Sequence, residues 1–232
     1  MRKFTFQVAQ YFLLIIFHLS AICAVHATPG PLRPAIRQGL QVYRAVTRGE
    51  LPFINNYVVG QPPPLPLPIA GDFGRNGGIY VFTSFSEAVD WARHKSGYYV
   101  GIYNQRAPNW AECQYYIVTM EITCDPSQLV TMEYLVDDQD FRNFVKSNYP
   151  PQGHPGYNTM VWGQMFPAMY DIVSGPLTAA GAQAVIRTTS HGTSYAQQMA
   201  FVTQAARNCL SVVNVQYGPD MERTWSTHCR IQ

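Results

Sequence analysis

The sequence predicts an α+β domain: many strands, with a few helices scattered at the periphery. Three observations lead there. The stretch Gly77-Gly78-Ile79-Tyr80-Val81-Phe82-Thr83-Ser84-Phe85-Ser86-Glu87-Ala88-Val89-Asp90-Trp91-Ala92 reads as a turn, a short buried strand and an amphipathic helix in immediate succession. Further apolar, β-branched and aromatic runs recur along the chain between turn signals. No internal repeat and no linker composition divides it.

The central stretch sets the pattern. Asn76-Gly77-Gly78 permits a tight turn, and Ile79 to Phe82 suits a strand. Ser84 and Glu87 fit a capping box. Phe85, Ala88, Val89 and Ala92 share a helical face, and Gly97 is placed to stop the helix. A strand passing directly to a capped helix would hold Thr83 and Ser84 at a sheet edge, where a hydroxyl can serve a ligand. The same residues also make an ordinary αβ corner.

The N-terminus reads as an export signal. Arg2 and Lys3 precede an apolar run, Tyr11–Val25, interrupted by His18 and Ser20, and Val25-His26-Ala27 offers a cleavage site after Ala27. A membrane anchor is the competing reading, but the run is short and no stop-transfer pattern follows. The expected mature chain, 28–232, has 232 − 27 = 205 residues, enough for a substantial core. Removing two basic residues and no acid takes the formal charge from +2 to 0. Without a basic stripe, no nucleic-acid or membrane-surface partner is expected. With 13% charged residues and frequent Tyr and Pro, the composition fits a compact secreted protein.

Cysteine usage agrees with an oxidising compartment. Cys23 leaves with the signal, while Cys113, Cys124, Cys209 and Cys229 remain. Of the three possible pairings, the short-loop one, Cys113–Cys124 with Cys209–Cys229, is expected. No metal is expected either, because no C-x-x-C or neighbouring His spacing supports zinc. The chain has no N-x-S/T acceptor.

Taken in order, Thr28–Ile36 holds three prolines and reads as an irregular leader. Gln41-Val42-Tyr43-Arg44-Ala45-Val46 is a first strand with Arg44 among apolar neighbours. Such an arginine either faces water on an alternating strand or must find a partner or ligand. Gly60–Gly71, with five prolines, is an extended surface loop. Tyr98–Tyr103 and Tyr115–Thr123 are strand-like, joined through Asn104–Cys113. Leu129–Leu135 is a further strand. Asp138 caps a helix carrying Phe141, Phe144 and Val145, ending near Asn148. Tyr149–Tyr157, with His154, is a loop. Tyr170–Pro176, Ala182–Thr188, Gln198–Thr203 and Ser211–Tyr217 read as strands, His191–Ser194 as a turn, and Thr203 as the cap of a short helix through Leu210. Trp225 and Cys229 are expected to fold back under a disulfide.

Three pieces in this order resemble the ADP-ribosyltransferase-like fold. Val42-Tyr43-Arg44 is similar to the family's first-strand arginine. Gly77 to Ser84, followed by the Ala88/Trp91/Ala92 helix, looks like its aromatic/hydroxyl motif. Tyr170 to Pro176, leading to Gln198-Met199-Ala200-Phe201-Val202-Thr203, is similar to the late region of toxin-like members. The resemblance implies that 28–232 is a single domain, a split β-sandwich with peripheral helices whose cleft binds NAD as substrate. The nicotinamide–ribose bond breaks through an oxocarbenium-like transition state. A site for it needs a cation for the diphosphate, an aromatic stack and a polar group on the ribose hydroxyls.

Carried over, Arg44 would hold a phosphate or the ribose. Tyr80 or Phe82 would line the nicotinamide pocket, and Thr83 and Ser84 would bind ribose or brace Arg44. Gln198 would sit at the ribose hydroxyls where many transferases have Glu. The Gln197-Gln198 pair stands in place of E-x-E, and a neutral amide stabilises positive charge less than a carboxylate. Arginine-directed transfer is therefore disfavoured relative to NAD glycohydrolysis or transfer to a good nucleophile, including a protein acceptor in a target cell.

Two other readings compete with a secreted NAD-cleaving toxin or effector. One is a non-catalytic secreted binding protein on a degenerate form of the fold, recognising partners through the Pro-rich loop or exposed aromatics such as Tyr57, Trp110 and Tyr157. The other is a hydrolase using His94, His154, His191 or His228 with an Asp. No G-x-S-x-G frames a serine, which ranks that reading last.

Overall fold

A computed structural model describes residues 35–65, 71–97, 113–149, 168–179, 183–184, 186–189 and 192–222. The expected export signal, residues 1–27, lies outside the described residues. So do the expected strand over 98–103, most of the connection after it, the loop bearing His154, and the C-terminal segment with Trp225 and Cys229. The described residues belong to one compact unit, Arg33–Gln232.

The architecture is α+β, as expected. Strand β1 is Gln41–Thr47. A 3-10 segment, Arg48–Asn56, follows it, entered through Arg48 at φ 44°. Strand β2 is Ile79–Val81 and helix α1 is Phe85–Ser96. Then come β3, Tyr115–Ile122, β4, Thr131–Glu133, and helix α2, Gln139–Ser147. Strand β5 is Ile172–Pro176. Four short strands make two hairpins: β6, Thr178–Ala179, with β7, Gln183–Ala184, and β8, Ile186–Thr189, with β9, Gly192–Tyr195. Strand β10, Gln197–Phe201, helix α3, Gln204–Asn208, and β11, Leu210–Tyr217, complete the set. The turn expected at His191–Ser194 is thus largely strand, because residues 192–195 pair with β8.

Two sheets organise these elements. One has the order β1-β3-β11, all antiparallel. The other has the order β2-β10-β5-β4, with only β4 and β5 parallel. Their inner faces meet in one core. Val42, Val46, Val118, Met120 and Val212 come from the first sheet, and Ile79, Val81, Ile172, Met199 and Phe201 from the second. The outer face of β1 and β3 is covered by α1, through Ala88, Val89 and Ala92 against Tyr115 and Ile117. The outer face of the second sheet is covered by α2 and Phe73, through Phe141 and Val145 against Val173 and Ala200. At Gly175 an added Cβ would lie 3.0 Å from the Phe141 ring and 3.1 Å from Phe73, so a side chain there would push against both rings.

Local signals account for the helix ends. Gly97 ends α1 in the left-handed region at φ 85°. The Asp138 carboxylate accepts from the Phe141 amide, and Thr203 Oγ1 accepts from the Ala206 amide. Ser84 is the N-cap of α1, but its hydroxyl makes no capping bond; its Oγ lies 2.8 Å from Ser86 Oγ instead, so no capping box forms.

The disulfide corrects the expected pairing. Cys124 is bonded to Cys209, 85 positions away in sequence, with Cα atoms 5.0 Å apart. Strand geometry explains why. Ile122 of β3 lies opposite Leu210 of β11, which brings the flanking cysteines together. Cys113 and Cys124 flank the eight-residue β3 at its opposite ends. Such a strand spans roughly 26 Å, far beyond disulfide reach. Cys113 is buried, and Cys229 lies outside the described residues.

Candidate functional site

Arg44 sits on β1 between Val42 and Val46, and all three side chains are buried on the inner face. Its charge is met from within the protein. Nε donates to the Tyr57 phenol oxygen at 2.9 Å, Nη1 donates to the Tyr80 carbonyl at 3.1 Å, and Nη2 is paired with the Glu50 carboxylate. Burial alone would lower the Arg44 pKa, but Tyr57 and Glu50 outweigh it and leave the pKa raised. Burial also raises the Tyr57 pKa, with Arg44 opposing. Tyr57 was expected to be an exposed recognition aromatic; it is instead buried as the arginine's partner.

The register of the second sheet sorts the other candidates by face. Tyr43 and Phe82 form an antiparallel bridge, which sets Arg44 beside Val81. Val81 is opposite Met199, Met199 is opposite Ser174, and Ser174 is opposite Glu133. Neighbouring residues across a pleated sheet share a face, so these five positions form one inner row. Gln198 belongs to the other face, with Ala200, Tyr80 and Gly175. The Arg44 guanidinium and the Gln198 carboxamide, expected to meet at one ligand, therefore leave opposite faces. On β10, Gln197 and Met199 share the face towards which Arg44 points.

Gln198 is buried beneath a polar cluster centred on Asp72. Its Nε2 donates to Asp72 Oδ2 at 3.3 Å, the Tyr149 phenol donates to Oδ1 at 2.6 Å, and the Thr178 hydroxyl donates to Oδ2. Asn148 Nδ2 donates to the Asp72 carbonyl at 2.7 Å. Partial desolvation, reinforced by the Asp72 carboxylate, raises the Tyr149 phenol above its usual range although the residue is partly exposed. This cluster ties the 71–74 turn to the end of α2 and to β10. Asp72 carried no signal in the sequence, because its partners lie 77, 106 and 126 residues away.

The aromatic candidates serve the core. The Tyr80 phenol oxygen accepts from the Phe73 amide at 2.9 Å, its ring lies 6.0 Å from Phe73, and burial raises its pKa strongly. Phe82 is buried 6.4 Å from the Trp91 ring. His94 stacks on Trp91 at 5.8 Å, while His154, His191, His228, Trp110 and Tyr157 lie outside the described residues.

Thr83 alone of the sequence-predicted residues lines a cleft of about 580 Å³. Ser174 and Met199 of the inner row are its buried floor. Residues 35–38, Asp125 to Ser127 and Thr131 to Glu133 form its walls. Among the described residues, its charged ones are Arg37, Asp125 and Glu133, all exposed at the rim. The Ser127 amide, donating at 3.0 Å, lowers the Asp125 pKa. A cleft of this size can hold a small molecule or a peptide side chain.

The chain matches no protein-family model, no curated protein and no solved structure. What the fold and the site define is an α+β protein with two apposed sheets, a cleft of mixed polar and apolar lining beside Thr83, and an internal disulfide. No helix among the described residues is long and apolar enough to cross a membrane.

Proposed function

We propose that this is a secreted, non-catalytic binding protein that receives a polar ligand in the cleft beside Thr83. One observation carries the reading: the β10 side chain in line with Arg44 is Met199, and the arginine's Nε, Nη1 and Nη2 already donate to internal partners. A thioether neither stabilises an oxocarbenium ion nor holds ribose hydroxyls as a carboxylate would. The Arg2/Lys3-led apolar run and the disulfide support secretion.

A second reading keeps NAD as substrate, with nicotinamide released to water or ADP-ribose passed to an acceptor. The position of Thr83 in the cleft favours it. It requires Arg44 to exchange Glu50 for a phosphate. One experiment separates the two: oxidised protein is incubated with NAD, and free nicotinamide and labelled acceptor protein are both measured. The binding reading expects neither product. Nicotinamide release that disappears in a folded Thr83→Val protein would overturn it in favour of NAD cleavage.

A further inference from the structure

We infer that the Cys124–Cys209 disulfide is a redox-sensitive clasp on the cleft beside Thr83: its reduction loosens the Asp125–Ser127 wall while both sheets stay paired. The inference goes beyond the binding reading and does not depend on which ligand enters the cleft. Two walls meet at the clasp. Asp125 to Ser127 follow Cys124 directly in the chain. The 35–38 wall is tied to the residue before it, because Gln38 Nε2 donates to the Thr123 carbonyl at 2.9 Å.

The bond closes a ring. From Cys124 the chain runs to Val130, whose amide donates to Asp171 Oδ2 at 2.9 Å and whose carbonyl accepts from the Asp171 amide at 2.7 Å. The Thr203 hydroxyl donates to Asp171 Oδ1, and Thr203 caps α3, whose other cap is Cys209. The disulfide completes the circuit back to Cys124. Without it, Thr123 still holds the Cys209 carbonyl, through its amide at 2.7 Å and its hydroxyl at 3.0 Å. Thr123 is exposed and lies just past the end of β3, where a ladder frays and water competes. The sheets need no such closure, because Val118, Met120 and Val212 of one are buried in a shared core with Ile172, Met199 and Phe201 of the other. Cys124 is only half-buried, so a small dithiol can reach it. The dithiol passes two electrons and two protons to the bond, becomes a cyclic disulfide, and leaves thiols at Cys124 and Cys209. In an oxidising compartment the ring stays shut; among abundant thiols it opens.

The test uses the oxidised mature protein and dithiothreitol in native buffer, with alkylation and peptide mapping to follow the thiols of Cys124 and Cys209. Their appearance is expected to scale with dithiothreitol and to be unchanged by urea too dilute to unfold the protein. Amide order parameters at Ser127, Leu129 and Val130 are expected to fall from about 0.85 to below about 0.6 on reduction, while those at Met199 and Phe201 stay near about 0.85. An oxidised Thr203→Val protein, which breaks the ring at Asp171 instead, should be reduced about threefold faster or more. Reduction that occurs only in unfolding urea overturns the inference. So does loss of order that spreads through β10, unchanged order at the three amides, or an unchanged reduction rate in the Thr203→Val protein. None of these readouts uses a ligand, so the NAD turnover assay and the clasp fail or succeed separately.

Discussion

Arg44 and Tyr57, thirteen residues apart, meet inside the protein through a 2.9 Å bond from the guanidinium Nε to the phenol oxygen. The 3-10 segment after β1 exists in the place where it can deliver both this phenol and the Glu50 carboxylate to one buried cation. Breaking such a buried set by removing one member costs more than any exposed ion pair. Arg44→Ala should therefore lower stability by about 2–4 kcal/mol. Glu50→Gln should cost less, about 1–2 kcal/mol, because its side chain is 39% exposed and water can partly replace the lost carboxylate beside the buried guanidinium. Urea unfolding of the oxidised proteins checks both, and equal costs would refute this view of the cluster.

The Cys124–Cys209 bond closes a loop of 85 residues across the β3/β11 pair. In the chain-entropy view this restricts the unfolded state and contributes about 4–5 kcal/mol. A Cys124→Ser/Cys209→Ser protein should lose most of that in equilibrium unfolding. Digestion without reductant should recover a peptide from the end of β3 linked to one from the start of β11. Recovery of a Cys113–Cys124 peptide would contradict the strand geometry.

Asp72 accepts from three side chains on separate segments, two of them buried. Asp72→Ala leaves the Thr178 hydroxyl and the Gln198 amide without their acceptor, at about 1–3 kcal/mol. Gln198→Ala alone should cost about 1 kcal/mol. A double-mutant cycle between the two should show coupling of about 0.5 kcal/mol or more, and additive losses would mean that the contact carries no energy.

Alkaline pH should destabilise the fold. Burial raises the pKa of Tyr57, Tyr80 and Tyr115 above the ordinary phenol value of 10.0. Above that value the unfolded chain loses these protons while the folded chain keeps them. The folded state then binds more protons, and stability falls with rising pH. The contribution is fully present below pH 10 and declines above it. Thermal melts from neutral to strongly alkaline pH, read beside phenolate absorbance, should show the melting temperature dropping as the phenols ionise together with unfolding. Phenols that titrate freely in the folded protein would refute this.

Much of the chain could be read residue by residue wherever the controlling interaction is local. The alternation of Val42, Arg44 and Val46 defined β1. The spacing of Ala88, Val89 and Ala92 with Gly97 defined α1, and Asp138 and Thr203 announced the starts of α2 and α3. Each of these signals acts over a few residues through backbone sterics, capping or a repeating apolar face. The burial of Tyr57, the disulfide partner of Cys124 and the face taken by Gln198 are of another kind. They depend on strand register and on contacts up to 126 residues apart. In a pleated strand a step of one residue exchanges the two faces, so reading Gln198 instead of Gln197 or Met199 moves a candidate from one side of the sheet to the other. Composition and local pattern therefore supplied the elements and the α+β class, while assembly alone chose which side chains share a hollow, because hydrogen-bond pairing between distant strands sets that choice.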